Sequence, residues 1–181
     1  MSARLLVACA TKHGGTAEIA QAIGATARAY GLEADVVAAR EVRSLDGYDA
    51  VVLGSAVYMG RWQGDAVALL KRREKELAAR PTWLFSSGPT GGSPEADAAV
   101  DAVQADPGAM APPREVARRV ARIRARGHAT FAGRVGPEMN GFLERWMPRG
   151  DWRDFDVVRA WAGRVARAVA SPAAPEEPAL D

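Results

Sequence analysis

The chain has 181 residues, 48% hydrophobic and 25% charged, with a formal net charge of +2 and a sequence pI near 9.0. That length supports one domain with a sizeable core and leaves little room for a second. No apolar stretch approaches the roughly 20 residues of a membrane helix, a lone cysteine excludes an internal disulfide, and two histidines on different predicted elements leave no legible metal site.

Met1-Ser2-Ala3-Arg4 leads directly into an apolar strand, Arg4 to Ala10, without the basic segment, apolar core and cleavage site of a secretory leader, so a cytoplasmic protein is expected. Cys9, in mid-strand, reads as a small buried hydrophobe. The strand breaks into Thr11-Lys12-His13-Gly14-Gly15-Thr16 and then into a helix from Thr16 to about Tyr30, with Ile19, Ile23, Ala27 and Tyr30 at helical spacing and Gly31 closing it. Strand two is Ala34 to Ala38. The continuous run from Asp49 to Ser55 reads as a strand covered on both faces. A helix is predicted from Ala66 to Ala79, ended by Pro81, and strand four from Thr82 to Ser87.

Residues 88–113 are rich in Gly, Pro, Ala and Asp, with one short helix expected around Glu95 to Val103. Pro113 starts an arginine-rich helix to Arg126, Gly127 ends it, and His128 to Gly133 form strand five. From Val135 to Trp152, the residues Met139, Phe142, Leu143, Trp146 and Met147 share one face of a short helix, either a strap on the sheet edge or a cover over an apolar ligand. Asp156 is expected to cap the last helix, whose stripe is Val157 or Val158, Trp161, Val165 and Val169. Residues 171–181 read as a disordered tail, leaving residues 1–170 as a single domain.

Short apolar runs alternating with longer periodic ones predict βα units and a doubly wound parallel sheet, whose ligand sits beyond the strand C-termini. Three loops converge there, after Ala10, Ser55 and Ser87. The first is a strand, a glycine loop and a helix N-terminus, where unpartnered N–H groups and the helix dipole favour an anion. A triphosphatase loop requires lysine after its last glycine, but Thr16 follows Gly15; a dinucleotide fingerprint requires G-x-G-x-x-G, and Gly14-Gly15 has the wrong spacing. The remaining pattern, T-x-x-G-x-T, suits a metal-free monophosphate such as that of FMN. The same residues also suit a tight turn with Thr16 as helix cap.

Together with Val52-Leu53-Gly54-Ser55-Ala56-Val57-Tyr58-Met59-Gly60-Arg61, the strand end Phe85-Ser86-Ser87-Gly88 and the late Asp154-Phe155-Asp156, this loop resembles the flavodoxin family. Within it the chain is most similar to flavodoxin-domain oxidoreductases of the menaquinone-dependent protoporphyrinogen dehydrogenase type. The resemblance implies a five-stranded sheet in the order 2-1-3-4-5 and FMN as cofactor. It places the phosphate at Thr11, Lys12, His13, Gly14, Gly15 and Thr16, and one face of the flavin ring at Ala56, Val57, Tyr58, Met59, Gly60, Arg61 and Trp62. The other face falls to Ser87, Gly88, Pro89, Thr90, Gly91 and Gly92. Tyr58 and Trp62 are the candidates for stacking on the ring. No catalytic side chain is implied, because the cofactor carries the redox chemistry.

Two functional expectations follow. One is an oxidoreductase passing electrons or hydride between an organic substrate and a quinone or similar acceptor; the other is an electron carrier without a substrate of its own, docking on a redox partner protein. Carriers commonly dock through an acidic surface, and a basic pI favours the enzyme. Arg114, Arg118, Arg119, Arg122, Arg124 and Arg126 form either a solvated helix face or a contact for anionic lipid, at most a peripheral membrane contact. No aromatic residues interleave with them, so nucleic acid is not expected.

Overall fold

Strand β1 (Arg4–Ala10) is buried from Leu5 onward, and its alternating side chains seed two separate cores. The computed structural model describes residues 2–88, 113–137 and 149–171. Leu5, Val7 and Cys9 face α1 (Gly15–Ala29) and α5 (Phe155–Ala170), joining Ile19, Ile23, Trp161 and Val165. Leu6, Ala8 and Ala10 face α2 (Gly64–Arg72), α3 (Glu74–Ala78) and α4 (Arg114–Val120), joining Leu69, Leu77 and Val116. Helices on both faces explain why the strand sequences are continuously apolar.

The other long strands are β2 (Glu33–Ala38), β3 (Ala50–Tyr58), β5 (Thr82–Gly88) and β6 (Gly127–Ala132). They are parallel in the order β2-β1-β3-β5-β6, in registers such as Leu5↔Ala50, Val52↔Trp83 and Phe85↔Ala129. The two-residue β4 (Arg61–Trp62) only folds back antiparallel on β3, so this is the expected order 2-1-3-4-5. Gly54 is obligatory at the centre of the sheet, because a Cβ there would stand 2.0 Å from Phe85 Cε1. Phe85 packs against Phe131 and Trp161, with centroids 5.9 and 6.5 Å away.

Four element boundaries differ from expectation. Strand three continues past Ser55 to Tyr58, since Val57 and Tyr58 pair with Trp62 and Arg61 around a turn in which Met59 and Gly60 both have positive φ (51° and 70°), as a two-residue hairpin connection requires. The helix expected from Ala66 to Ala79 starts at Gly64 and breaks at Arg73, whose guanidinium bonds the Arg43 carbonyl and Glu76. The arginine helix stops at Val120, and the turn that closes it falls on Arg124 rather than on Gly127. Arg124 takes φ 50°, Ala125 N–H donates to Val120 O at 3.0 Å and Arg124 N–H to Ala121 O at 3.2 Å, a Schellman closure that leaves Gly127 to begin β6. Finally, Asp154 and not Asp156 caps α5: its Oδ1 accepts from the N–H groups of Asp156 (2.9 Å) and Val157 (3.1 Å).

Along the arginine stretch, Arg119 pairs with Glu74 of α3 and Arg126 stands 5.6 Å from the Trp83 ring centroid. The expected helix around Glu95 to Val103, the face from Met139 to Met147 and the tail beyond Ser171 lie outside the described residues. Flanking that segment in the sequence, β7 (Arg134–Val135) and β8 (Gly150–Asp151) pair as a short antiparallel ribbon. Among the described residues, no helix is long and apolar enough to cross a membrane.

Candidate functional site

After Ala10 the chain leaves β1 and turns tightly into α1. Thr11 Oγ1 accepts the Gly14 N–H at 2.9 Å, and Gly14, at φ 84°, is the residue before the helix. Its carbonyl accepts from Ala17 (3.0 Å) and Glu18 (3.2 Å), the first bonds of α1. No side chain caps this helix, so Thr16 is not its cap; it lies inside the first turn, 3% exposed. The first N–H groups of α1, those of Gly15 and Thr16, have no intrahelical acceptor to reach and carry the positive end of the helix dipole.

These groups border an open cleft of about 510 Å³. Thr11, Lys12, His13, Gly15 and Thr16 line it from the first loop, Ala56, Val57 and Tyr58 from the second, and Ser87 and Gly88 from the third. The three loops predicted to converge therefore meet. Lys12 Nζ stands 3.6 Å from the Tyr58 ring centroid, joining the first loop to the second. Gly14 shapes the loop from behind.

The remaining predicted residues sit elsewhere. Met59, Gly60 and Arg61 form the exposed tip of the β3–β4 hairpin, Met59 being 73% exposed. Trp62 is in the core beside α2, 4% exposed, its Nε1–H donating to Ser86 Oγ at 2.8 Å. The pairings Val57↔Trp62 and Tyr58↔Arg61 explain the split, since successive strand residues take opposite faces: Tyr58 enters the cleft and Trp62 anchors the base of the hairpin. Pro89, Thr90, Gly91 and Gly92 lie outside the described residues.

Three contributors were not anticipated. Gly133, between β6 and β7, and Arg134, which opens β7, also line the cleft. Gly133 ends and Arg134 follows the strand predicted from His128 to Gly133, whose C-terminus points to the same edge, and this was the available signal. Arg153 carries no such signal. Its side chain, 4% exposed, donates to Asp151 (Nε to Oδ1, 2.8 Å; Nη2 to Oδ2, 2.6 Å) and through Nη1 to Glu18 Oε2 (2.8 Å) and the Gly15 carbonyl (3.3 Å). These bonds hold the Asp151 carboxyl down at about 2, burial opposing them.

Burial pushes the Cys9 thiol up to about 11, which leaves it a structural residue rather than a nucleophile. Burial likewise pushes His128 down to about 4; its Nε2 is 2.9 Å from Ser86 Oγ. Among the described residues, no group of His, Cys, Asp and Glu is placed to hold a metal ion.

A parallel sheet in this order, with its cleft at the C-terminal ends of β1, β3 and β5, defines an α/β protein of the flavodoxin-like fold. The chain belongs to the flavodoxin-domain family, whose sequence profile matches residues 6–149. Solved structures of the same fold include a flavodoxin from the domain Archaea, 14% identical with a TM-score of 0.55, covering 93% of this chain and 99% of that one. A cysteine-to-serine mutant of flavodoxin from Pseudomonas aeruginosa is 14% identical, with a TM-score of 0.59 and the same coverages. The Flv1 flavodiiron core from Synechocystis sp. PCC6803 is 11% identical with a TM-score of 0.63; 93% of this chain matches 36% of that one. This chain thus spans about a third of that flavodiiron core, as it does of the rubredoxin oxygen:oxidoreductase of Desulfovibrio gigas, at 36%. No curated protein matches the sequence.

Membership of the family makes this an FMN-binding protein, and the residues present fit that cofactor. The α1 N-terminus offers unpartnered N–H groups, Thr11 keeps its O–H to donate, and buried Thr16 adds a hydroxyl to which no hydrogen bond is assigned among the described residues. These groups would hold the phosphate. Tyr58 from the second loop and Ser87 and Gly88 from the third line the part of the cleft that would receive the flavin ring. Bound FMN supplies hydride and electron transfer; the chain's own part is to bind, orient and exclude water.

Proposed function

We propose that this protein is an FMN-dependent oxidoreductase that passes electrons or hydride between an organic substrate and a quinone or similar acceptor, working in the cytoplasm. The observation that supports this reading is the charge of the cleft. Lys12 and Arg134 line it, and no carboxylate does so among the described residues. Such a lining attracts anionic substrates and stabilises negative charge gained on reduction, whereas a carrier docks on its partner through carboxylates.

A carrier without its own substrate is the second reading, supported by the carboxylates Asp151, Asp154 and Asp156 near the start of α5. Each is already engaged, with Arg153, with the α5 N-terminus and with Arg159 respectively. A protoporphyrinogen substrate draws no support from the relatives found, and the proposal stops at the substrate class. The test is turnover by the isolated FMN-loaded protein. Rapid reduction of a soluble quinone at the expense of an organic donor supports the enzyme; reduction that requires an added flavodoxin reductase supports the carrier.

A further inference from the structure

We infer that Arg134 is a phosphate-binding residue, a cation delivered to the glycine loop from the distant β7–β8 ribbon. The inference rests on FMN occupying the cleft and adds a residue that the three-loop pattern does not contain.

A flavin phosphate carries close to two negative charges at neutral pH. The first turn of α1 also carries Glu18, an acidic residue well suited to a helix start but repelling an anion bound there. Arg153 answers Glu18, and with Asp151 it is committed to doing so: its Nε and both terminal nitrogens are all engaged with Asp151, Glu18 and the Gly15 carbonyl. Lys12 lies against the ring of Tyr58.

Arg134 lines the cleft together with the phosphate loop, and its stem rests against the start of α1, since a Cβ built on Gly15 would be 3.9 Å from Arg134 Cβ. Gly15 provides the first N–H of the anion-binding turn, so the Arg134 side chain leaves the backbone beside that turn. The ribbon fixes the approach: Arg134 is directly opposite Asp151, the carboxylate that Arg153 holds.

Arginine suits the task because its planar donors engage two phosphate oxygens at once. The expected signature is selective: removing Arg134 weakens the flavin that has a phosphate and spares the one that lacks it. FMN and riboflavin are titrated separately into the flavin-free full-length protein and followed by flavin fluorescence. Arg134→Gln is expected to lose about 10- to 100-fold in FMN affinity, the factor corresponding to a charge-assisted hydrogen bond, with riboflavin affinity within about twofold of the unsubstituted protein. Arg134→Lys is expected to recover part of the loss, and inorganic phosphate to compete with FMN less effectively against Arg134→Gln.

Unchanged FMN affinity in Arg134→Gln overturns the inference, and so does an equal loss for both flavins, which would make Arg134 a structural support of the cleft. A protein that binds riboflavin and FMN equally well before substitution also overturns it while leaving the flavin site intact. Failure to bind either flavin removes the FMN reading itself.

Discussion

Arg153 Nη1 lies 2.8 Å from Glu18 Oε2, with the arginine side chain 4% exposed, and latches the segment before the last helix onto the first turn of α1. The two residues are 135 positions apart in the chain. With the bond from the same Nη1 to the Gly15 carbonyl, this contact ties the start of α1 to a distant segment and bears on how the protein responds to substitution and to acid.

Arg153→Ala should destabilise the protein by about 1–3 kcal/mol, since a buried, fully bonded guanidinium is lost while Glu18 and Asp151 can rehydrate. Urea unfolding should show a lower midpoint at unchanged slope. The pH dependence has a definite sign. The folded Asp151 carboxyl, at about 2, lies below its ordinary 3.8, so its stabilisation is present above pH 3.8 and is lost as pH falls through 2. Arg153→Ala should flatten stability over that window; an identical acid profile in the two proteins would show that the latch is energetically idle.

Thr16→Val keeps the shape of the first turn of α1 but removes a hydroxyl from a charged acceptor. FMN binding should weaken by about 1.5–3 kcal/mol, and calorimetric titration reads the loss directly. Affinity equal to that of the unsubstituted protein would place the phosphate elsewhere.

Met59 holds φ 51° at a hairpin position where glycine or asparagine is favoured, and is 73% exposed. Met59→Gly should therefore stabilise the protein by about 1 kcal/mol through relief of left-handed strain. Thermal melting measures that gain. A simultaneous fall in turnover would show that the thioether is kept for contact with substrate or partner.

His128 is held neutral by burial down to about pH 4, against an ordinary 6.5. Between those values the unfolded chain binds a proton that the folded one refuses, so stability should fall as pH drops from 6.5 to 4 and level off below. The loss is at most about 3 kcal/mol. In His128→Gln the slope across that interval should vanish in denaturant titrations at stepped pH; a persisting slope would assign it to other groups.

The strands and the glycine loop were legible because their signals are local: continuous apolar runs for buried parallel strands, and a hydroxyl-glycine break before a helix. Boundaries failed where two residues compete for one role. Asp154 and Asp156 both precede the apolar stripe of α5, and only the reach of a carboxylate to two N–H groups decides between them. Gly127 is the conventional helix terminator, but Arg124 accepts the left-handed position and frees the glycine for pairing with Trp83. Tyr58 and Trp62 looked equivalent until the extension of β3 fixed their parity. Arg134 and Arg153 reach the site through tertiary packing across more than half of the chain, which no spacing rule records.

That long reach bears on biosynthesis. The glycine loop is made 138 residues ahead of the arginine that steadies its helix, so the nascent chain lacks a finished cofactor cradle until residue 153 has emerged. Chains arrested before Asp151 should accordingly bind FMN far more weakly than chains that extend through α5.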